Sequence, residues 1–186
     1  MENGLWAVKE REVSMNVKFR LGAMMFLQYA SWGAWAPVLS AYLEKNLGFS
    51  GAQFSFIYML LPLATIIAPF IGGQIADRYF ASEKVVGFLQ LIGGALLVFV
   101  STVTQFSLMA WLMAIYCLLY APTLALTNSI AFINLKSSEK EFGKIRVWGT
   151  IGWIAAAYVL TLWRISAKPE VTIVFKADTL LWAGIF

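Results

Sequence analysis

Four stretches of this chain contain no charged residue: Leu21 to Leu43, Asn46 to Ala76, Val85 to Leu135 and Val147 to Trp163. Crossing about 30 Å of hydrocarbon takes about 20 helical residues, so each stretch is near or above spanning length and the third is long enough to cross twice. The rest of the composition agrees. Hydrophobic residues make up 60% of the chain and charged residues 13%, against about 45–50% and about 25% in a soluble domain. No soluble core of this size can absorb that much apolar surface. The expected fold class is an all-α polytopic membrane protein.

Polar breaks place the spans. Residues 1–18 form an N-terminal segment with no apolar core of the kind a cleavable signal peptide needs, and Met15 offers a second start directly before the first span. That span runs from about Phe19 to Leu43 and closes at Glu44-Lys45-Asn46 with the turn signals Gly48 and Gly51. The second runs from about Ala52 to Ala76 despite Pro62 and Pro69, which membrane helices tolerate where neighbours satisfy the freed backbone groups. The third covers about Val85 to Val100, and the polar run Ser101 to Gln105 separates it from a fourth, about Phe106 to Leu135, that contains Pro122. A mixed-charge loop from Lys136 to Lys144 leads to the fifth, about Ile145 to Trp163. An external loop over 164–178 precedes a sixth span that starts at Thr179 and stops at Phe186. Five complete spans and a truncated sixth are the expectation for the first part of a larger polytopic protein, or for a gene fragment.

Lysine and arginine in alternate loops set the orientation. Ten fall on the side of the N-terminus and four on the other, which places the N-terminus in the cytoplasm; leaving out Arg146 gives nine against four and the same answer. The net charge of +4 is thereby explained by topology, and nucleic acid is not an expected partner. Cys117 is the one cysteine and histidine is absent, so the sequence offers no disulfide, no metal site and no histidine proton shuttle. No carboxylate lies inside a span, no phosphate-binding glycine loop follows a strand, and no nucleophile is paired with a base. An enzyme is not expected, no catalytic residue is assigned, and no cofactor is implied.

Three segments can carry function. At the cytoplasmic end of the second span, Gly72-Gly73-Gln74-Ile75-Ala76-Asp77-Arg78 combines small residues that permit close helix approach with an acid that can cap or pair; an ordinary charged helix end accounts for the same residues. In the fifth span Arg146, Thr150 and Trp153 are spaced i, i+4, i+7 and share one helix face. A fixed cation with five donors, a hydroxyl and a flat aromatic surface suit a polar ligand with a planar ring. With Arg146 wholly outside, only the 17 residues Val147 to Trp163 would remain to cross, the bottom of the spanning range. The competing account has Arg146 snorkelling to the interface while Trp148 and Trp153 merely pack. In the first span, Gln28 and Trp32 are i, i+4 and can face a polar cavity together, although a membrane glutamine often makes only an interhelical hydrogen bond. Thr123, Thr127 and Asn128, near Pro122, pose the same choice.

The segments Phe26-Leu-Gln28-Tyr-Ala-Ser-Trp32-Gly-Ala-Trp35, Tyr120-Ala-Pro122-Thr123-Leu124 with Asn128, and Arg146 to Trp153 resemble the bacterial nucleoside:proton symporters of the major facilitator superfamily, in order and spacing, over about Met15 to Trp163. The resemblance implies that this chain is the N-terminal helix bundle of such a carrier. It implies nucleoside recognition by Arg146 and Thr150, a stacking aromatic at Trp153 where the family usually has a smaller ring, and a loop motif at Gly73, Asp77 and Arg78. That motif normally continues with a basic pair, from which Ala81-Ser82-Glu83-Lys84 departs. The implied partners are a nucleoside, a proton, the lipid bilayer and a second six-helix half carrying the acidic coupling residues.

The expected function is secondary active import of nucleosides by proton symport across a bacterial inner membrane, with Arg146, Thr150, Trp153 and Gln28 as substrate-binding residues. The alternatives are a carrier of the same fold for a sugar or other polar metabolite, and a non-transporting membrane fragment.

Overall fold

The computed structural model describes residues 15–78, 81–135, 138–166 and 183–184, with side chains described for all of these except 69–78, 138–140 and 164–165. Among them the chain is all helical: α1 (Met15–Trp35), α2 (Leu39–Lys45), α3 (Gly51–Arg78), α4 (Ser82–Val100), α5 (Phe106–Asn134) and α6 (Ser138–Ser166). Ala183 and Gly184 are also helical; the rest of the expected sixth span, the external loop and residues 1–14 lie outside the described residues. Four of the helices, α3 to α6, contain stretches long and apolar enough to cross a membrane. α1 has 21 residues, about 31 Å of helix, but carries Lys18, Arg20, Gln28 and Ser31 within its length.

Two helix bounds differ from expectation. The first span does not continue unbroken to Leu43. It turns over 36–38 and restarts as the short α2, because Pro37 has no N–H to donate and disfavours helical geometry in the residue before it. The last bond of α1 runs from the Ala36 N–H to the Trp32 carbonyl. The fifth span starts earlier than expected, at Ser138, so the expected loop over Lys136 to Lys144 is mostly helix. Lys18 at the start of α1 then reaches Glu141 in the first turn of α6 with a 2.5 Å ion pair. That contact, invisible to span counting, gives the charged residues a reason to be helical.

Packing is pairwise: α1 lies along α6, and α5 is flanked by α3 and α4. Lipid tails are as apolar as leucine, so helices in a membrane associate through close backbone approach and polar contacts rather than through burial of oily surface. The α1–α6 seam follows that rule. A Cβ on Gly33 would come within 2.8 Å of the Trp153 backbone, and one on Gly152 would collide with the Phe26 carbonyl. Outward-facing positions are large and apolar, including Ile66, Phe88, Leu91, Trp111 and Ile133, all well exposed, the inversion expected of a surface facing lipid.

The interior holds a polar knot. Gln28 and Thr123 are 3% and 0% exposed. The Gln28 Nε2 donates to Thr123 Oγ1 at 2.8 Å, and its Oε1 accepts from Gln90 Nε2 at 2.5 Å. Its backbone carbonyl accepts the Tyr120 hydroxyl at 2.6 Å. α1, α4 and α5 are thereby tied at one level, each by an uncharged polar group with a partner. An amide in such surroundings without a partner would cost several kcal/mol, on the order of 2–7.

Candidate functional site

Two consecutive residues of α1 point to different neighbours, because successive helical residues are rotated by about 100°. Gln28 faces α4 and α5, as described, while Tyr29 faces α6. Tyr29 is buried, and the Arg146 guanidinium carbon lies 4.1 Å from the centre of its ring. A cation over an aromatic face is held by the ring quadrupole. The ring offers no lone-pair acceptor at its face, so this contact ties up none of the five guanidinium N–H donors in a conventional hydrogen bond. Among the described residues none accepts a hydrogen bond or forms an ion pair with Arg146.

Gly149 makes the arrangement possible. A Cβ there would stand 2.7 Å from Tyr29 Cδ2 and 3.0 Å from Arg146 Nη1, so any larger residue would force the ring to shift and press on the guanidinium. One turn along, Trp153 meets Trp32 edge to face, with ring centroids 4.8 Å apart and an interplanar angle of 85°. Trp32 in turn lies 6.3 Å from Tyr29. Arg146, Tyr29, Trp32 and Trp153 therefore form one continuous set drawn from two helices. Thr150 lies between Arg146 and Trp153 on the same face of α6 and is exposed, with no hydrogen bond from its hydroxyl to any described residue.

Of the residues singled out from sequence, the structure thus brings together Arg146, Thr150 and Trp153 and adds Tyr29 and Trp32 to them. It separates Gln28 from that group. Gln28 and Trp32, expected to face one polar cavity together, have different partners: the Gln28 amide is engaged by Thr123 and Gln90, whereas Trp32 meets Trp153. Trp148 lines a separate apolar cleft of about 590 Å³ along the α1–α6 seam, with Phe19, Phe26 and Lys144. Gly73, Asp77 and Arg78 belong to the last turns of α3, and their side chains lie outside the described residues.

A second cleft, of about 390 Å³, runs between α1 and α4 and is lined by Gln28, Ser31 and Gln90. One end of it is already occupied by backbone: the Ser31 hydroxyl donates to the Ala183 carbonyl at 3.0 Å, and a Cβ on Gly94 would meet the Gly184 carbonyl. Thr123 and Thr127 return their hydroxyls to carbonyls of their own helix. Asn128 Oδ1 is buried without a partner among the described residues. Gln90 was not singled out from sequence, although the signal was there: it is the one amide in an otherwise apolar span. Among the described residues no group of three or more Cys, Asp or Glu is placed to hold a metal ion.

The family model for the nucleoside H+ symporters matches residues 15–177. The transporter YegT of Escherichia coli K12 is 42% identical over 142 residues, which is 76% of this chain and 33% of YegT. The xanthosine permease of the same organism is 34% identical over 152 residues, 80% of this chain and 36% of the permease. The crystal structure of the nucleoside transporter NupG superposes with a TM-score of 0.80 at 30% identity, covering 92% of this chain and 41% of that one. The chain spans about a third of the length of the curated relatives it matches. A match of the family model over most of the chain, joined to the same helix bundle in a solved relative, identifies it: the chain belongs to the nucleoside H+ symporter family of the major facilitator superfamily.

Proposed function

We propose that this chain supplies one wall of the substrate cavity in a carrier that imports nucleosides together with protons across the bacterial inner membrane, with its N-terminus in the cytoplasm. The observation that carries the reading is the Arg146 guanidinium, half-buried on the Tyr29 ring with no acceptor among the described residues. A nucleoside is neutral, carries oxygen acceptors on its base and ribose, and has a planar face. Arg146 supplies fixed donors to those oxygens, Thr150 adds a hydroxyl one turn away, and Trp153 offers the flat apolar surface. Because the substrate has no charge, the cation needs no counter-ion to bind it, and hydrogen bonds to a charged donor contribute about 1.5–3 kcal/mol each.

The proton is carried elsewhere. Arginine as a residue type keeps its proton, and the carboxylates within the described candidate spans, Glu83 and Glu141, stand at the very start of theirs rather than at mid-membrane depth. Symport requires a group that gains and loses a proton, and alternating access requires a second bundle to rock against this one. Both belong to the second half of the carrier in this reading, and the excess of lysine and arginine on the N-terminal side supports the cytoplasmic orientation.

The test is uptake of labelled uridine by cells expressing the full-length carrier. Arg146→Ala is expected to abolish proton-coupled uptake at an unchanged amount of protein in the membrane, and unlabelled nucleosides but not sugars are expected to compete in the unmodified carrier. Normal uptake by Arg146→Ala, or competition by sugars alone, would overturn the reading.

A further inference from the structure

Among the polar and aromatic groups of the α1–α6 seam, Tyr29 stands out as buried, on a different helix from every substrate-binding residue assigned on α6, and yet in contact with one of them. The assignment rests on the proposed role of Arg146 and goes one step further. We infer that Tyr29 is the positioning residue for Arg146: its ring face fixes the guanidinium plane, and with it the direction of the donors that meet the nucleoside.

Three observations carry this. The guanidinium carbon is 4.1 Å from the Tyr29 ring centre, close enough for face-on contact and within the reach of a cation–π interaction. Arg146 has no ionic or hydrogen-bonding partner among the described residues, so the ring is the one electrostatic partner found there for a long side chain with many rotamers. Gly149 is the third: any Cβ at that position would stand in contact with both groups, 2.7 Å from the ring and 3.0 Å from Nη1. A glycine one turn from the cation, on the face that meets Tyr29, is what such a pairing requires.

The choice of an aromatic over a carboxylate has a chemical consequence. A carboxylate partner would engage two N–H donors in a bidentate pair and compete with the substrate for them. The ring holds the cation through its face and leaves the donors at its edge available. A neutral ligand with carbonyl and hydroxyl oxygens can then bind without displacing a salt bridge. Positioning of this kind acts on substrate affinity, since a cation free to rotate must be ordered again at each binding event.

The experiment compares uridine KM and Vmax in the full-length carrier, normalised to protein in the membrane, for Tyr29→Phe, Tyr29→Leu, Gly149→Ala and Gly22→Ala. Phenylalanine keeps the ring, so Tyr29→Phe is expected to leave KM within about twofold, whereas Tyr29→Leu is expected to raise it about tenfold at nearly unchanged Vmax, as for loss of a partly desolvated cation–π contact. Gly149→Ala is expected to reproduce the leucine effect with the tyrosine in place. Gly22→Ala presses on Trp148 in the same seam, away from the cation, and is expected to leave KM unchanged. The inference is overturned if Tyr29→Leu keeps a normal KM, if Tyr29→Phe is as impaired as Tyr29→Leu, or if Gly22→Ala raises KM as much as Gly149→Ala. Should Tyr29→Leu fail to reach the membrane, the pair Gly149→Ala and Tyr29→Phe decides by the same criteria. Loss of uptake in Arg146→Ala with a normal KM in Tyr29→Leu defeats this inference alone, while normal uptake in Arg146→Ala defeats the substrate-site reading beneath it.

Discussion

Gln28 on α1 donates its side-chain amide to the hydroxyl of Thr123 on α5 at 2.8 Å, in a place where both side chains are almost completely buried. The two residues are 95 positions apart in sequence, and the bond joins the helix pair α1–α6 to the group formed by α3, α4 and α5. With Gln90 on the other amide atom and Tyr120 on the backbone carbonyl, Gln28 works as a clamp between the two groups of helices.

Removing that clamp is expected to loosen the bundle rather than to change substrate affinity. Gln28→Leu strips both side-chain bonds, while Thr123 keeps its bond to the Tyr120 carbonyl and Gln90 its longer one to the Thr123 hydroxyl. Single interhelical hydrogen bonds in membranes contribute about 0.6 kcal/mol and at most about 1.7, so the loss should be on the order of 1–2 kcal/mol. A thermal-stability scan in detergent with uridine KM measured alongside checks it; a lower melting temperature at unaltered KM is the expected pair of results, and a large rise in KM at unaltered stability would return Gln28 to the substrate site.

The α1–α6 seam depends on the absence of side chains at a few positions. Gly152→Ala places a methyl group against the Phe26 carbonyl, and because that obstacle is backbone the helices themselves must separate. Overpacking of this kind costs about 1–3 kcal/mol. Gly87 has nothing within 4 Å of its would-be Cβ, and Gly87→Ala is expected to be neutral or stabilising by about 1 kcal/mol from helix propensity. Size-exclusion profiles and melting temperatures of the two variants should move in opposite directions or, for Gly87→Ala, stay put.

The Lys18–Glu141 ion pair fastens the first turns of α1 and α6. Its side chains are 38% and 26% exposed, so solvent screens it, and Glu141→Gln is expected to cost no more than about 1 kcal/mol. The double exchange Lys18→Glu with Glu141→Lys should recover what Lys18→Glu alone loses. A melting series at low and high salt reads both effects; an equal loss at every salt concentration would show that the contribution is not ionic.

Trp153 is assigned a surface role and Trp32 a supporting one. Trp153→Phe retains an aromatic face and is expected to preserve uridine uptake, while Trp153→Ala removes it and is expected to raise KM by about tenfold, within the range for loss of one base–aromatic stack. Trp32→Ala removes an edge-to-face contact of the kind that contributes about 0.5–1.5 kcal/mol, and a smaller rise in KM is expected. Uptake kinetics of the three variants give the order; Trp153→Ala with normal KM would take the indole out of the site.

Much of this could be read from the chain. The spans are legible because hydrophobic length is a property of consecutive residues. Arg146, Thr150 and Trp153 are legible as a unit because helical periodicity alone puts i, i+4 and i+7 on one face. Pro37 carried the signal for the break after α1 but sat inside an uncharged run, where apolar length dominated the reading. The helical start of α6 at Ser138 was hidden by charges that look like a loop until Glu141 meets Lys18.

What the sequence determined by itself is therefore the set of helices, their apolar surfaces and the residues that share a face within each one. Which face meets which neighbour was decided only by the tertiary structure. Gln28 and Tyr29 are adjacent in sequence, yet one is locked to Thr123 and Gln90 and the other carries the Arg146 cation. The physical reason is that an apolar helix in lipid gains little by choosing one apolar neighbour over another. The choice falls to sparse, long-range matches between a glycine and a ring, or an amide and a hydroxyl, and neither partner announces the other along the chain.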